Sequence, residues 1–382
     1  MSFFDNCGAK LLIIFEICKF FKDKFANIVI FLYLCSEIKH KHMKKWLVFM
    51  LVAVTLWSCN SGNERTLTSA TGSIYECLIV CEADVQVPVT EIMGGDMYGL
   101  PQMEAYFTVA HTVPAQFDAM YMASRNILIV DINSHKYTQV KATHYRDQWS
   151  KPQAVVRIQA PDNEAFLAYW SENGESVRDW FVREELARQA HFYRAGTNKN
   201  ARAKLQKQGY DICVPEDYML IKDTVLAIND QTANIIWCCN NKGPMRRDVL
   251  VYSYPYTAQE QFSGESIIAV RNLIMGQLVS AQVEGSHMGT EYKHFPPVTR
   301  SVAALRDTVG GFYGMETRGL WKMLDGEAMG GPFVSLTRLD QVNGRVVTAE
   351  AFLYAPGQKK RNAMRQAEAI LYTLEMPNER QR

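Results

Sequence analysis

A short apolar run near the amino terminus constrains the fold more than any other feature of the chain. It extends from Trp46 to Trp57 and directly follows Lys44 and Lys45. A helix that spans a bilayer needs about twenty apolar residues, whereas a secretory signal needs a positive region followed by about seven to fifteen. The sequence therefore predicts an export signal over 43–58, and we expect the folded protein to begin after it.

The apolar run ends at a cysteine whose surroundings resemble the lipobox of bacterial lipoproteins. Leu56 lies three positions before Cys59 and the small Ser58 lies directly before it, although Trp57 is larger than usual at its position. Each methylene of an attached acyl chain contributes about 0.8 kcal/mol to membrane binding, so several chains give a stable anchor. We expect lipid attachment at Cys59 and a polar, flexible tether over 59–71.

Residues 1–42 precede this signal and have two interpretations. They contain apolar patches at Leu11 to Phe15 and at Ile28 to Cys35, and neither reaches spanning length. One interpretation is a start codon assigned too far upstream, which would make Met43 the first residue. The other is a genuine extension that would place the signal inside the chain.

Composition limits the class of protein that follows the signal. Hydrophobic types make up 48% of the 382 residues, which is enough for one large domain or two small ones. Because 41 Lys and Arg residues face 40 Asp and Glu residues, no net field would draw the chain to nucleic acid. We expect no nucleic-acid partner and no cofactor.

Hydrophobic periodicity over 72–382 predicts an α+β domain, with mostly antiparallel sheets and three to four packed amphipathic helices. Short runs rich in β-branched and aromatic residues recur between turn residues, as at Asn126 to Ile132 and Arg345 to Tyr354. A long helix should begin after Asp162 and bend near Gly174, and two others should follow Ser263 and close the chain. A strand-poor basic segment near 195–210 is the best candidate for a boundary between two halves.

Five cysteines follow Cys59, and their spacing predicts neither a disulfide framework nor a metal site. Cys77 and Cys81 lie four residues apart in a predicted strand, beyond disulfide reach. Cys238 and Cys239 are adjacent, and no C-x-x-C pair recurs at the spacing of zinc ligands. We expect these thiols to be buried as small hydrophobic groups.

The residues of one cluster are spaced along the sequence as metal ligands can be. His287, Glu291 and His294 would share a face if they were helical and could then hold a metal ion. Nearby Gly285, together with Gly289 and two prolines, favours a loop instead. We predict no metal here and keep the three residues as weak candidates.

Three consecutive cations lie where the last helix should begin. Lys359, Lys360 and Arg361 would oppose the helix macrodipole there, at a cost of some tenths of a kcal/mol each. A nearby anion would relieve this cost, so the cluster predicts binding of a polyanion, a lipid headgroup or an acidic partner surface. The alternative is an exposed basic turn that only aids solubility.

Several motifs in combination resemble the DUF4837 family of lipoproteins from Bacteroidetes. The resemblance runs over essentially all of the chain after Cys59 and implies an envelope lipoprotein without established catalytic residues. The motifs are Leu100-Pro101-Gln102 with Glu104 and Phe107, Arg125-Asn126-Ile127, Arg318-Gly319-Leu320-Trp321, Met329 to Phe333, and Tyr354 to Arg361 followed by Arg365, Glu368 and Ala369.

These patterns predict a lipid-anchored periplasmic module that binds an envelope protein or glycan or assists assembly. Lipoproteins that reach the cell surface in that group tend to carry an acidic run after the cysteine, whereas Cys59 is followed by Asn-Ser-Gly-Asn. We therefore expect an outer-membrane anchor that faces the periplasm. An envelope hydrolase acting on cell wall or glycan is the alternative, although no G-x-S-x-G or S-x-x-K element marks a nucleophile. A purely structural spacer is the third possibility.

Overall fold

The computed structural model describes residues 67–280, 283–303, 314–326 and 328–379. The folded unit extends from Leu67 to Arg382. The backbone of 67–71 already belongs to it, because Ala70 and Thr71 donate to the carbonyls of Lys151 and Ala123. Residues 67–71, which the sequence analysis assigned to the tether, are therefore part of the folded unit.

The first sheet has five strands in the order β3-β2-β4-β7-β5, and all neighbouring pairs are parallel except β5 with β7. Its strands are β2 (Glu76–Val80), β3 (Thr108–Thr112), β4 (Asn126–Ile132), β5 (Lys141–Arg146) and β7 (Ala154–Ala160). The short strands β1 (Thr68–Ser69) and β6 (Ser150–Lys151) form a separate parallel pair.

Four helices lie in the amino-terminal part: the first two connect strands of this sheet, the third packs on it, and the fourth packs against two strands of the second sheet. They are α1 (Ala83–Met93), α2 (Ala119–Met122), α3 (Asn163–Ala195) and α4 (Lys199–Lys207), with a 3-10 turn at Pro114–Gln116. Asp162 caps α3 as predicted, because its carboxylate accepts from the backbone N–H of Ala165 at 2.8 Å. The helix continues through Gly174, where an added Cβ would lie 2.6 Å from Ile92 Cδ1, so this glycine permits close packing of α1 on α3.

The second sheet has eight antiparallel strands in the order β11-β13-β14-β15-β10-β9-β8, with β12 also paired to β13. The strands are β8 (Met219–Ile228), β9 (Gln231–Asn240), β10 (Arg246–Pro255), β11 (His287–Thr290), β12 (Val298–Val302), β13 (Gly314–Leu324), β14 (Gly330–Asp340) and β15 (Arg345–Tyr354). Helices α5 (Gly264–Leu278) and α6 (Arg361–Leu371) accompany it, with 3-10 turns at Gln259–Phe262 and Pro377–Glu379.

Both faces of the second sheet are buried. Alternate residues point to opposite faces of a strand, so Ile236 and Val251 enter a large core that also contains α3, α6 and one face of the first sheet. Their neighbours Ile235 and Tyr252 enter a smaller core beside α5. One hydrophobic core therefore joins the two sheets through α3 and α6.

The α+β fold class is confirmed, with two differences. The first sheet is mostly parallel rather than antiparallel, because α1 and α2 supply the crossover connections that parallel strands require. Six α-helices occur in the described ranges rather than three to four. One of them, α4, occupies the basic segment predicted as a boundary and buries Ala201 and Leu205.

None of the helices in the described ranges is both long and apolar enough to cross a membrane.

Candidate functional site

The predicted basic cluster lies at the amino terminus of α6, and an anion of the protein itself lies beside it. The backbone N–H groups of Lys360 and Arg361 donate to the two carboxylate oxygens of Glu104, at 2.6 and 2.9 Å. A carboxylate at a helix amino terminus is favourable both as a hydrogen-bond acceptor and as a charge on the macrodipole. Glu104 thus supplies an anion from within the protein at the helix terminus where the sequence analysis predicted an external one.

The side chains of these cations differ in their availability. Lys360 is buried, and its Nζ donates to Gln102 Oε1 at 3.2 Å and to the Gln358 carbonyl at 2.8 Å. Arg361 is half-buried and donates to the Ala105 carbonyl at 3.0 Å. Lys359 alone of the three is exposed. Binding of an external anion at this cluster remains a prediction. Of the three side chains, only that of Lys359 is exposed to solvent.

A groove of about 430 Å³ opens beside this helix terminus; we call it the basic groove. Arg247 lines it, and the Arg247 Nε atom is buried without a hydrogen-bond partner in the described chain. Burial lowers the pKa of Arg361, which also lines the groove. Its lining combines three cations with one carboxylate, and comprises Met103, Glu104, Ala105, Thr108, Met245, Arg247, Lys359, Arg361, Asn362, Ala363 and Gln366.

A buried ionic network also involves α6. Arg318 donates to Glu316 at 2.8 Å and also to Glu368, and Arg365 donates to Glu368 at 2.8 Å. Burial raises the pKa of Glu316, but Arg318 and Arg300 outweigh it and hold the value at about 2. Because these charges pair with one another, the network connects α6 to β13 and offers no free nucleophile or base.

A second network holds α3 against the first sheet. Arg125 donates to both oxygens of Glu185, at 2.8 and 3.0 Å, and Asn126 donates to the same carboxylate at 2.8 Å. Arg188 in turn donates to Asn126 Oδ1 at 2.5 Å. Arg125, Asn126, Arg318, Arg365 and Glu368 also carry the sequence resemblance, and the structure shows that each of them takes part in one of the two networks.

The weak metal candidates do not form a helical face. His287 lies in β11 and its Nδ1 is 3.0 Å from the Gly285 carbonyl, while Glu291 and His294 follow in a loop. Glu291 is engaged with Lys322 at 2.8 Å, and this contact lowers the pKa of Glu291 to about 2. Within the described ranges, no group of three or more His, Cys, Asp or Glu residues could hold a metal ion.

One shallow cavity of about 340 Å³ contains the residue types of a hydrolytic triad. Ser176, His144 and Asp179 all line it. Asp179 is engaged with Arg178 at 3.1 Å and Arg300 at 3.8 Å, and His144 packs edge-on against Trp180 at 4.8 Å between ring centroids. No hydrogen bond joins the three side chains, all of which the structure describes. The cavity therefore lacks the contacts by which a base activates a serine.

The five cysteines of the folded unit are buried and free, as expected. Burial raises the pKa of the Cys81 and Cys239 thiols to about 11 and that of Cys238 to about 12. A thiol acts as a nucleophile only when ionised, so these groups are packing residues. Cys59, the predicted lipid attachment residue, lies outside the described residues.

The basic groove is lined by residues from two regions with separate family matches. Residues 198–373 match DUF4837. That family model is described as a domain of unknown function, and 70–194 match a second such model, DUF8532. The DUF4837 resemblance therefore covers the carboxyl-terminal region and not the whole chain after Cys59. Glu104 belongs to the DUF8532 region, whereas Lys359 and Arg247 belong to the DUF4837 region.

No curated protein matches the chain. Among solved structures, it is similar to cyanobacterial PsbP (CyanoP) from Synechocystis sp. PCC 6803, at 10% identity and a TM-score of 0.28. That similarity covers 44% of this chain and 88% of the other.

Proposed function

We propose that this protein is a lipid-anchored binding or assembly module of the bacterial cell envelope, and that its basic groove takes an acidic group of an envelope protein or glycan. The observation that carries this proposal is the composition of the groove. The lining contains three cations, Arg247, Lys359 and Arg361, and one carboxylate, Glu104. It therefore has an excess of positive charge. An acidic group would balance that excess.

The size and position of the groove also suit binding. Its volume of about 430 Å³ is within the range of small-molecule sites and of pockets for partner side chains. Residues of both the DUF8532 region and the DUF4837 region line it. Arg247 lines the groove, and its guanidinium is a group from which a carboxylate or phosphate oxygen could accept hydrogen bonds.

Anchoring is the second part of the proposal. Lys44, Lys45 and the short apolar run before Cys59 support export and acylation. Residues 60–66 would then connect the anchor to the folded unit, which begins at Leu67. We place the protein on the outer membrane facing the periplasm, because no acidic run follows Cys59.

Binding to immobilised poly-L-glutamate at low salt tests the groove. We expect the Lys359→Glu and Arg247→Gln variants to weaken binding by about three- to tenfold each, because each removes a cation from the groove. Lys136→Glu is the matched control, since Lys136 is exposed on the loop after β4. Equal binding by wild type, both groove variants and the control would contradict the proposal.

Metabolic labelling with radioactive palmitate tests the anchor. We expect label in the wild-type protein and none in a Cys59→Ala variant, with Cys35→Ala as the control that keeps its label. A wild-type protein that stays unlabelled, also after Trp57→Ala, would remove the lipid anchor from the proposal.

A further inference from the structure

The chain enters the folded unit at one end of the first sheet. Strands β2, β4 and β7 are parallel, and residues 68–71 lie at the end where β4 and β7 begin. There Thr71 donates to the Ala123 carbonyl at 2.8 Å and accepts from the backbone N–H of Arg125 at 2.9 Å. β1 pairs with β6, which lies just before β7 in the chain. We call this end of the first sheet the entry edge.

Helix α3 extends past the entry edge. It begins at the opposite end of the sheet, just after β7 ends at Ala160, and runs back along the strands. It reaches the entry edge at Glu185, which accepts from the side chains of Arg125 and Asn126 at the start of β4. Phe192 follows Glu185 by seven residues, close to two helical turns, so both point in nearly the same direction. Phe192 therefore lies about 10 Å beyond the edge along the helix axis.

Phe192 and one residue of α2 expose large apolar side chains at this edge. Phe192 is 68% exposed, and no other phenylalanine of the described chain is among the exposed large apolar residues. Met120 on α2 is 71% exposed, while its neighbour Tyr121 packs against the small core on the first sheet. Met120 lies within one helical turn of Ala123, the residue whose carbonyl accepts from Thr71. Both exposed side chains thus lie where the chain enters the fold.

The length of the chain before Leu67 limits how far the entry edge can lie from an anchor at Cys59. The two residues are eight positions apart, and eight fully extended residues span at most about 29 Å. The opposite end of the sheet lies beside Asn163, which donates to Asp84 of α1 at 3.4 Å. Asn163 and Phe192 are about 44 Å apart along α3. A lipid on Cys59 would therefore hold the entry edge, and not the opposite end, close to a bilayer.

We propose that the folded unit docks on the membrane surface at its entry edge, with Phe192 and Met120 inserted among the lipid headgroups. This inference rests on the lipid anchor of the proposed function and adds an orientation to it. Apolar side chains at the boundary between headgroups and acyl chains gain free energy by leaving water. Because the anchor keeps the edge near the bilayer, their insertion is an intramolecular step, and two side chains are enough to favour it.

Fluorescence quenching in vesicles tests the docking. The lipidated protein is reconstituted in vesicles of phosphatidylethanolamine and phosphatidylglycerol that contain nitroxide-labelled lipid. An environment-sensitive NBD fluorophore is attached at Phe192→Cys or at Met120→Cys; the cysteines of the folded unit are buried and do not compete. We expect the nitroxide lipid to lower the fluorescence at both positions by about twofold or more. Circular dichroism establishes that each variant is folded.

The matched control is Val87→Cys with the same fluorophore. Val87 is 65% exposed on α1, one turn after Asp84 at the opposite end of the first sheet, so we expect no quenching there. With the fluorophore at position 120, Phe192→Glu should abolish most of the quenching, because a carboxylate at position 192 opposes insertion. Equal quenching at 87, 120 and 192 would overturn the orientation, and quenching that survives Phe192→Glu would remove Phe192 from the contact.

Mass spectrometry of the same samples separates this inference from the proposed function. Lipid on Cys59 without quenching at positions 120 and 192 would overturn the docking and leave the anchor in place; it would assign Phe192 and Met120 to a contact other than the bilayer. A protein that carries no lipid on Cys59 would overturn the anchor, and the docking with it.

Discussion

Replacement of Glu104 is the sharpest test of how the basic groove is built. Glu104 is half-buried and accepts from two backbone N–H groups at the start of α6. Loss of a helix-capping acceptor costs about 1 kcal/mol. Loss of a carboxylate at a helix amino terminus adds about 0.3–1 kcal/mol. The neighbouring cations Lys360 and Arg361 lose their closest opposite charge as well.

We therefore expect Glu104→Ala to lower the free energy of unfolding by about 2–3 kcal/mol. Glu104→Gln keeps one acceptor oxygen but loses the charge, and it should cost about 1 kcal/mol. Urea denaturation followed by circular dichroism measures both values. Glu91→Ala, at an exposed position of α1, is the matched control and should change the value by less than about 0.5 kcal/mol.

The same variants should bind poly-L-glutamate more tightly than wild type, because both remove the charge of Glu104, the one carboxylate among the described residues that line the groove. Stability and binding should thus change in opposite directions. A Glu104→Ala protein as stable as wild type would refute the capping role, and weaker binding by a folded Glu104→Gln protein would refute the electrostatic account of the groove.

Three further outcomes follow from the structure. Arg271 and Glu350 form an ion pair with both side chains fully buried, so Arg271→Met should cost about 3–5 kcal/mol in urea denaturation, and adding Glu350→Leu should recover most of the loss. Because the pKa of Glu316 is lowered to about 2, its contribution to stability is present above about pH 5 and declines as the pH falls towards 2; a Glu316→Gln variant should lack this part of the pH dependence. Any hydrolysis of cell wall or glycan should survive Ser176→Ala, because Ser176 has no activating base; complete loss of such activity would make the triad-like cavity an active site.

The sequence predicted elements with strong local signals well. The strand at Arg345–Tyr354 and the cap of α3 at Asp162 follow the prediction closely, because periodicity and capping are local properties. The sequence analysis did not predict helix α1, since it contains Pro88 and valines at alternate positions, a pattern that favours strands. Helix α4 was missed because it buries only two residues, Ala201 and Leu205, within a basic segment.

The groove could be predicted only in part. Three cations at a helix amino terminus indicated that an anion lies near, and Glu104 fulfils this condition. Glu104 and Lys360 are separated by 256 positions in the chain, so no local pattern could pair them. Arg247 carried no signal of its own, because its place in the groove depends on how β10 lies against α6.

The shared core has a practical consequence for anyone who studies the two family regions separately. Tyr193 and Phe181 on α3 and Ala367 and Ile370 on α6 belong to one continuous hydrophobic cluster, although they come from different regions. If the chain were divided between Arg194 and Asn198, each fragment would expose a hydrophobic surface that the other fragment covers in the intact protein. Such fragments should aggregate when produced alone and should recover a stable form when produced together in one cell.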